Sequence, residues 1–347
     1  MPAWSLLFDD FIGQYVVGPH YGIEEVDDYL IEKIAHKDSL PLLWTSEDGL
    51  YELRDLEWDK TPSIGLFFSD SGRSAQVGFY IQGMAWVEES HRGKGLGVQM
   101  IKVAAELMNG SPVGSSDLMG FSEAGEAAHR RAHREIVLDA YEKGLPIPQG
   151  VADEYNLKLD PHQIAKSEMF TLATTLRNFF EPHWEDWRLE KAAWMGNSYR
   201  EKLNLSEIPI SHNMCRLTCA SAATILASKD IIAIVKGGEP VLDYQLDGSA
   251  ICTSSGGMET ATGEWRGHYW LEIPLLSLIL DITGDQFGWE PVIVTDTSDP
   301  RYAANFTNPE ISEALMYVEM TSEKWAGQWQ EEVDIDVRDA HKTTPFS

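Results

Sequence analysis

Apolar and polar positions alternate in several distinct rhythms along this chain. From Gly22 to His36, Ile23, Val26, Tyr29, Leu30 and Ile34 recur at helical spacing, with Glu24, Glu25, Asp27 and Asp28 in the early turns, where the helix dipole favours acids. That pattern predicts a helix. Residues 50–57, 63–69 and 75–87 carry alternating or continuous apolar runs. The turn residues Asp59-Lys60-Thr61-Pro62 and Asp70-Ser71-Gly72 separate them, which predicts an antiparallel meander. A helix follows over Gly97–Met108, with Val98, Ile101, Val103, Ala104 and Leu107 as its apolar positions.

A second helix is predicted over Glu123–Glu142, stopped by Gly144-Leu145-Pro146-Ile147-Pro148. Residues 150–206 read as mainly helical and carry Trp184, Trp187 and Trp194. From Cys215 the rhythm changes to a small-residue helix ending near Ser228, then strands near 231–236, 268–273, 278–283 and 290–295. This predicts an α+β fold in three parts: a first domain over 1–149, a helical connecting segment over 150–206, and a second domain over 207–347.

Length agrees with that division, since 347 residues exceed the usual size of one domain. With 43% apolar and 24% charged residues, the composition is that of a folded soluble protein. There is no apolar run of membrane-spanning length. Asp9 and Asp10 interrupt an N-terminus that lacks basic residues, so no signal peptide is expected and the cytoplasm is the expected location. The net charge of −28 repels phosphate backbones and argues against nucleic acid as a partner. It suits cationic amines or basic peptides. Three cysteines, Cys215, Cys219 and Cys252, have neither a disulfide-framework count nor zinc-like spacing, so no metal site is expected. His129 and His133 stand at i and i+4, but Arg-Arg-Ala lies between them and no third ligand is visible.

After Gly83–Val87 the chain runs Glu88-Glu89-Ser90-His91-Arg92-Gly93-Lys94-Gly95-Leu96-Gly97 into a helix. Free backbone N–H groups at a helix start favour an anion, and glycine lets a phosphate approach closely. The spacing Arg92-x-x-Gly95-x-Gly97 resembles the acyl-CoA signature of GNAT-type N-acyltransferases, and the segment Gly120–Arg134 is similar to one that follows the loop in some bacterial members. The resemblance covers about residues 20–150. It implies a GNAT-like mixed sheet with flanking helices, and a cofactor, acetyl-CoA or another acyl-CoA. The pyrophosphate would be held by Arg92, Gly93, Lys94, Gly95, Leu96 and Gly97, with the pantetheine arm on the strand ending at Val87. Glu88 or Glu89 would then be a general base on a small-molecule amine or peptide acceptor; otherwise both cap a solvated strand end. The tyrosine acid usual in that family has no clear counterpart, Tyr141 being poorly suited.

The second candidate chemistry begins at Asn213-Met214-Cys215-Arg216-Leu217-Thr218-Cys219. Cys215 opens a helix, where the dipole and free N–H groups stabilise a thiolate nucleophile; Cys219, a turn further in, reads as a buried filler. Gly267-His268-Tyr269-Trp270 and Leu280-Asp281-Ile282-Thr283 fall on consecutive strands. His268 can take a proton from Cys215 while Asp281 orients the ring, with Asp285 as the alternative third member. The backbone N–H of Cys215, with Asn213 nearby, is a candidate oxyanion donor. Cys252 sits in a Thr-, Ser- and Gly-rich stretch read as a loop. Cysteine on a helix, histidine before an aromatic, then aspartate on the next strand resembles the transglutaminase-like, papain-related cysteine hydrolases over about residues 210–300. That resemblance implies a Cys-bearing helix against an antiparallel sheet and thiol hydrolase or acyltransferase activity. The alternatives are a thiol amidase or peptidase whose first half only binds a ligand or partner, and a non-catalytic acidic binding or regulatory protein on two enzyme scaffolds.

Overall fold

A computed structural model describes residues 1–13, 37–57, 62–70, 73–81, 83–113, 122–195, 208–245 and 250–340. The helix expected over Gly22–His36 lies outside them, as does the segment 114–121. The chain forms two compact units, Met1–Gln163 and Ile164–Ser347. The segment 150–206 is divided between them: Val151 and Ala152 pack with Val137 and Ala140 in the first unit, and the boundary falls in the first turn of the long helix Pro161–Met195.

The first unit is built on an antiparallel sheet in the order β1(Leu42–Thr45), β2(Tyr51–Asp55), β3(Ser63–Asp70), β4(Arg73–Ile81), β5(Met84–Val87). The mixed sheet expected for this unit is therefore antiparallel in all its described pairings. The stretch 75–87 holds the end of β4 and all of β5, a hairpin in which Gly83 turns the chain at φ 96°. The helix α1(Leu96–Leu107) starts one residue before the predicted position and buries Leu96, Met100, Ile101 and Ala104 against Leu53, Ile64, Leu66 and Val77 of the sheet. That pairing of a period-3.6 stripe with a period-2 face makes the core, each large side chain contributing about 1.5–3 kcal/mol on burial. The helix α2(Glu123–Glu142) has the predicted span, and Ser122 caps it by accepting the Gly125 N–H at 3.1 Å.

In the second unit, α3(Pro161–Met195) supplies buried Phe180 and Trp184, and α4(Cys215–Ala227) buries Leu217, Cys219, Ala222 and Leu226. A four-stranded antiparallel sheet runs in the order β13(Ile293–Asp296), β12(Leu278–Asp281), β11(His268–Ile273), β6(Ile234–Gly238). Two strands, β11 and β12, start where predicted; the other two, expected near 231–236 and 290–295, each begin three residues later, at Ile234 and Ile293. A small sheet, β10(Trp265–Arg266), β9(Gly257–Glu259), β14(Tyr302–Ala303), was not predicted, its strands being two or three residues long. Gly257 explains part of its geometry. At φ 79° a Cβ there would sit 2.0 Å from the Arg266 carbonyl, so only glycine fits. Cys252, expected in a loop, lies on β8(Ala250–Ser254), which pairs with β7(Val241–Tyr244). The fold is α+β with antiparallel sheets.

Candidate thiol site

The antiparallel register of β11 and β12 places Leu271 opposite Leu280. Continuing that register by one pair sets Asp281 opposite Trp270, on the same face as His268 two residues away. The side chains meet diagonally: His268 Nε2 lies 2.8 Å from Asp281 Oδ2, and both are buried. Asp281 is also held by the Thr283 N–H at 2.8 Å and hydroxyl at 3.0 Å, both on Oδ1, and by the Tyr302 hydroxyl at 3.0 Å on Oδ2. Burial alone would raise the Asp281 pKa, but the His268 charge and these donors hold it below the ordinary carboxylate value.

The opposite nitrogen of the ring decides what this pair can do. Nδ1 of His268 is buried and has no partner of full hydrogen-bond geometry among the described residues. Cys215 lies near enough to the imidazole to raise its proton affinity. With Nε2 taken by Asp281, Nδ1 is the nitrogen left for a further partner. Burial would depress the His268 pKa; the Asp281 carboxylate, with Cys215, overrides it and pushes it up to about 10. The ring is packed by Phe287, centroids 4.6 Å apart, and by Trp270 at 6.0 Å.

No protein-family model, curated protein or solved structure matches this chain.

Cys215 is the first residue of α4, partly exposed, and the helix start has no side-chain cap. The first N–H groups of a helix lack intrahelical acceptors, so those at Cys215 and Arg216 are donors beside the sulfur. Met214 N–H is already spent on the Ser211 carbonyl at 2.9 Å, and Asn213 holds a left-handed conformation at φ 64° that turns the chain into the helix. Cys219 is buried, and burial raises its thiol pKa well above the usual value, as suits a filler. Cys252 is exposed, its thiol directed to the Ser254 carbonyl at 3.0 Å.

The alternative third member, Asp285, is engaged elsewhere. Both its carboxylate oxygens accept from Arg177, Oδ1 from Nη1 and Oδ2 from Nη2 at 2.9 Å each, and Oδ1 also accepts from Ser211 Oγ. Arg177 is buried and also donates to the carbonyls of Ile282 at 2.8 Å and Pro291 at 2.9 Å. This cluster ties α3 to the segment after Asp281. Tyr302 escaped sequence reading because nothing marks an aromatic 21 positions beyond Asp281. Thr283 carried a faint signal, since a threonine two residues after an aspartate suits local side-chain turns.

The glycine-rich loop lies in the first unit. Gly93 and Gly95 have φ 77° and 78°, Gly95 being the N-cap of α1, and a Cβ at Gly93, Gly95 or Gly97 would meet open space. Leu96 is buried and anchors the helix start. Arg92 Nε donates to the Val87 carbonyl at 2.7 Å, which lies on the edge strand β5. Lys94 folds back, its Nζ 2.5 Å from the Tyr51 hydroxyl, which also meets His91 Nδ1 at 3.0 Å. Glu88 and Glu89 are exposed; Glu88 accepts from the Ser90 hydroxyl at 3.3 Å. Both follow directly on the end of β5. The Tyr141 hydroxyl is spent on the Lys158 carbonyl at 2.9 Å.

His129 and His133 do not face a shared space. His129 Nδ1 donates to the Gly125 carbonyl at 2.8 Å and Nε2 meets the Tyr80 hydroxyl at 3.0 Å. His133 Nε2 donates to the Ala3 carbonyl at 3.2 Å, leaving Nδ1 to accept from Tyr155 at 2.7 Å. Burial lowers both to about 4, so they are neutral core groups.

Proposed function

We propose that the second unit performs thiol chemistry on an acyl group, with Cys215 as nucleophile, His268 as acid–base and Asp281 as the residue that orients the ring. One observation carries this reading: a buried imidazole with its Nε2 on Asp281, its Nδ1 otherwise unpartnered, and a partly exposed cysteine at a helix start beside it. An imidazolium at His268 stabilises a thiolate at Cys215. The thiolate adds to an amide or thioester carbonyl, and the helix-start N–H groups stabilise the oxyanion. The amine of an amide, or the thiol of a thioester, leaves with the proton from Nδ1, and water or an acceptor amine then resolves the acyl-enzyme. The order of cysteine, histidine and aspartate supports a transglutaminase-like domain. Iodoacetamide labelling read by mass spectrometry tests it: Cys215 reacts selectively at neutral pH and loses that selectivity in His268→Ala. Slow labelling of Cys215 and Cys252 at equal rates would sink it.

The first unit supports a second reading, a GNAT-like domain holding acetyl-CoA or another acyl-CoA. Two left-handed glycines open to solvent at the start of α1, beside the edge strand β5, favour it. The engagement of Tyr141 and the exposure of Glu88 favour CoA binding over acyl transfer there. Calorimetry with acetyl-CoA and with CoA tests this, no heat at millimolar ligand being the adverse result. Together the readings make the protein an acyl-handling enzyme acting on small amines or peptides. Three free cysteines suit the reducing cytoplasm.

A further inference from the structure

We infer that Tyr302 is a positioning residue of the thiol site, setting how strongly Asp281 holds the proton on His268. The inference rests on the thiol reading above and adds a fourth residue to it. Tyr302 comes from β14, in the small three-stranded sheet, whereas His268 and Asp281 sit on the four-stranded one. Its hydroxyl donates to Oδ2, the same oxygen that accepts from His268 Nε2. The contact is well supported: Tyr302 pairs with fully buried Met258 in the sheet, and its ring packs on Trp270 with centroids 5.3 Å apart.

Three donors besides the imidazole saturate the Asp281 carboxylate, two from Thr283 on Oδ1 and Tyr302 on Oδ2. Sharing Oδ2 draws electron density from the acceptor that faces Nε2, so the tyrosine weakens the pull on the imidazole proton while fixing the plane of the carboxylate. Tyr302 stays a donor: burial and the neighbouring Asp281 push its phenol well above the usual value. Among the described residues, titratable groups around the cluster include Cys215, Arg216 and Cys219 from α4, Tyr269 from β11, and Asp299 and Arg301 beside Tyr302. Asp299 and Arg301 pair with each other at 2.7 Å.

Alkylation of Cys215 by iodoacetate and iodoacetamide, measured against pH on the full chain, tests the role. The ratio of the two rates reports the imidazolium, because only the anionic reagent is drawn by its charge. Tyr302→Phe should slow both reactions by about ten- to a hundredfold at neutral pH. It should also move the alkaline midpoint of the ratio upward by about half a pH unit or more, since Asp281 then pulls harder on the proton. A folded Tyr302→Phe protein with the midpoint unchanged overturns the inference. If that variant does not fold, Thr283→Val, which removes one of the two Oδ1 donors, should shift the midpoint the same way by less; no shift is the overturning result. Persistence of selective labelling in His268→Ala would instead overturn the thiol reading itself.

Discussion

His268 Nε2 and Asp281 Oδ2 are 2.8 Å apart with at most 1% of either side chain exposed. The carboxylate, able only to accept, keeps a proton on Nε2 in every state of the ring and favours the imidazolium, so Nδ1 is the nitrogen that gains or gives up the second proton. Asp281→Asn reverses this, because it removes the charge that sustains the imidazolium, and its amide can donate to Nε2 and drive the remaining proton to Nδ1. The expected outcome is a fall in Cys215 alkylation of about a hundredfold or more, measured at pH 7 with folding checked by circular dichroism. Alkylation at the wild-type rate would show that the tautomer is irrelevant to the thiol.

The same pair makes stability fall on the alkaline side. An unfolded histidine titrates near ~6.5, whereas native His268 is pushed up to about 10 by Asp281 against the opposing effect of burial. Below the unfolded value both states are protonated and the contribution is complete; above it the native state binds more protons, so stability declines until about 10. Urea unfolding between neutral pH and pH 9 should show this decline. Asp281→Asn should flatten it, and an identical slope in the variant would exclude the pair as its origin.

Asp285 and Asp281 are separated by four positions but have different work. Replacing Arg177 with Met leaves the partly buried Asp285 carboxylate beside Ser211 without its cation, which should cost about 2–3 kcal/mol. Asp285→Asn should destabilise less, yet leave the selective alkylation of Cys215 intact. A loss of Cys215 reactivity in folded Asp285→Asn would restore Asp285 as the orienting residue.

How much of this was legible in the sequence depended on the range of the interaction. Helices with long apolar stripes, such as Glu123–Glu142 and Cys215–Ala227, appear within a residue of their predicted spans. Cys215, His268 and Asp281 come together because helix start and strand register are local properties that propagate. The partners Tyr302 and Arg177 were invisible, since each reaches its carboxylate across a long stretch of chain. Strands of two or three residues, such as Tyr302–Ala303, have too few positions for alternation to register.

His129 and His133 should make the first unit acid-sensitive. Burial lowers both to about 4, so between that value and the unfolded ~6.5 the unfolded chain binds more protons and stability drops as pH falls. At pH 5 the loss is about 2 kcal/mol for each histidine. Unfolding of His133→Gln should show a shallower dependence over this window than the parent. An unchanged slope would assign the acid sensitivity to other groups.

The loop glycines separate backbone need from ligand need. Gly95 has φ 78°, so Gly95→Ala carries a strain of about 1 kcal/mol even though its Cβ meets nothing. Gly97 has an ordinary helical backbone and open space, so Gly97→Ala should stabilise α1 by about 0.5–1 kcal/mol. If the loop holds a CoA pyrophosphate, the new methyl group stands where the phosphate approaches, and Gly97→Ala should weaken CoA binding about tenfold, or ~1.4 kcal/mol. Calorimetry and thermal unfolding on the same sample give both numbers. A more stable protein that binds CoA as tightly as the parent would detach these glycines from any phosphate contact, because the only cost left for them to serve would be the turn at Gly93 and Gly95.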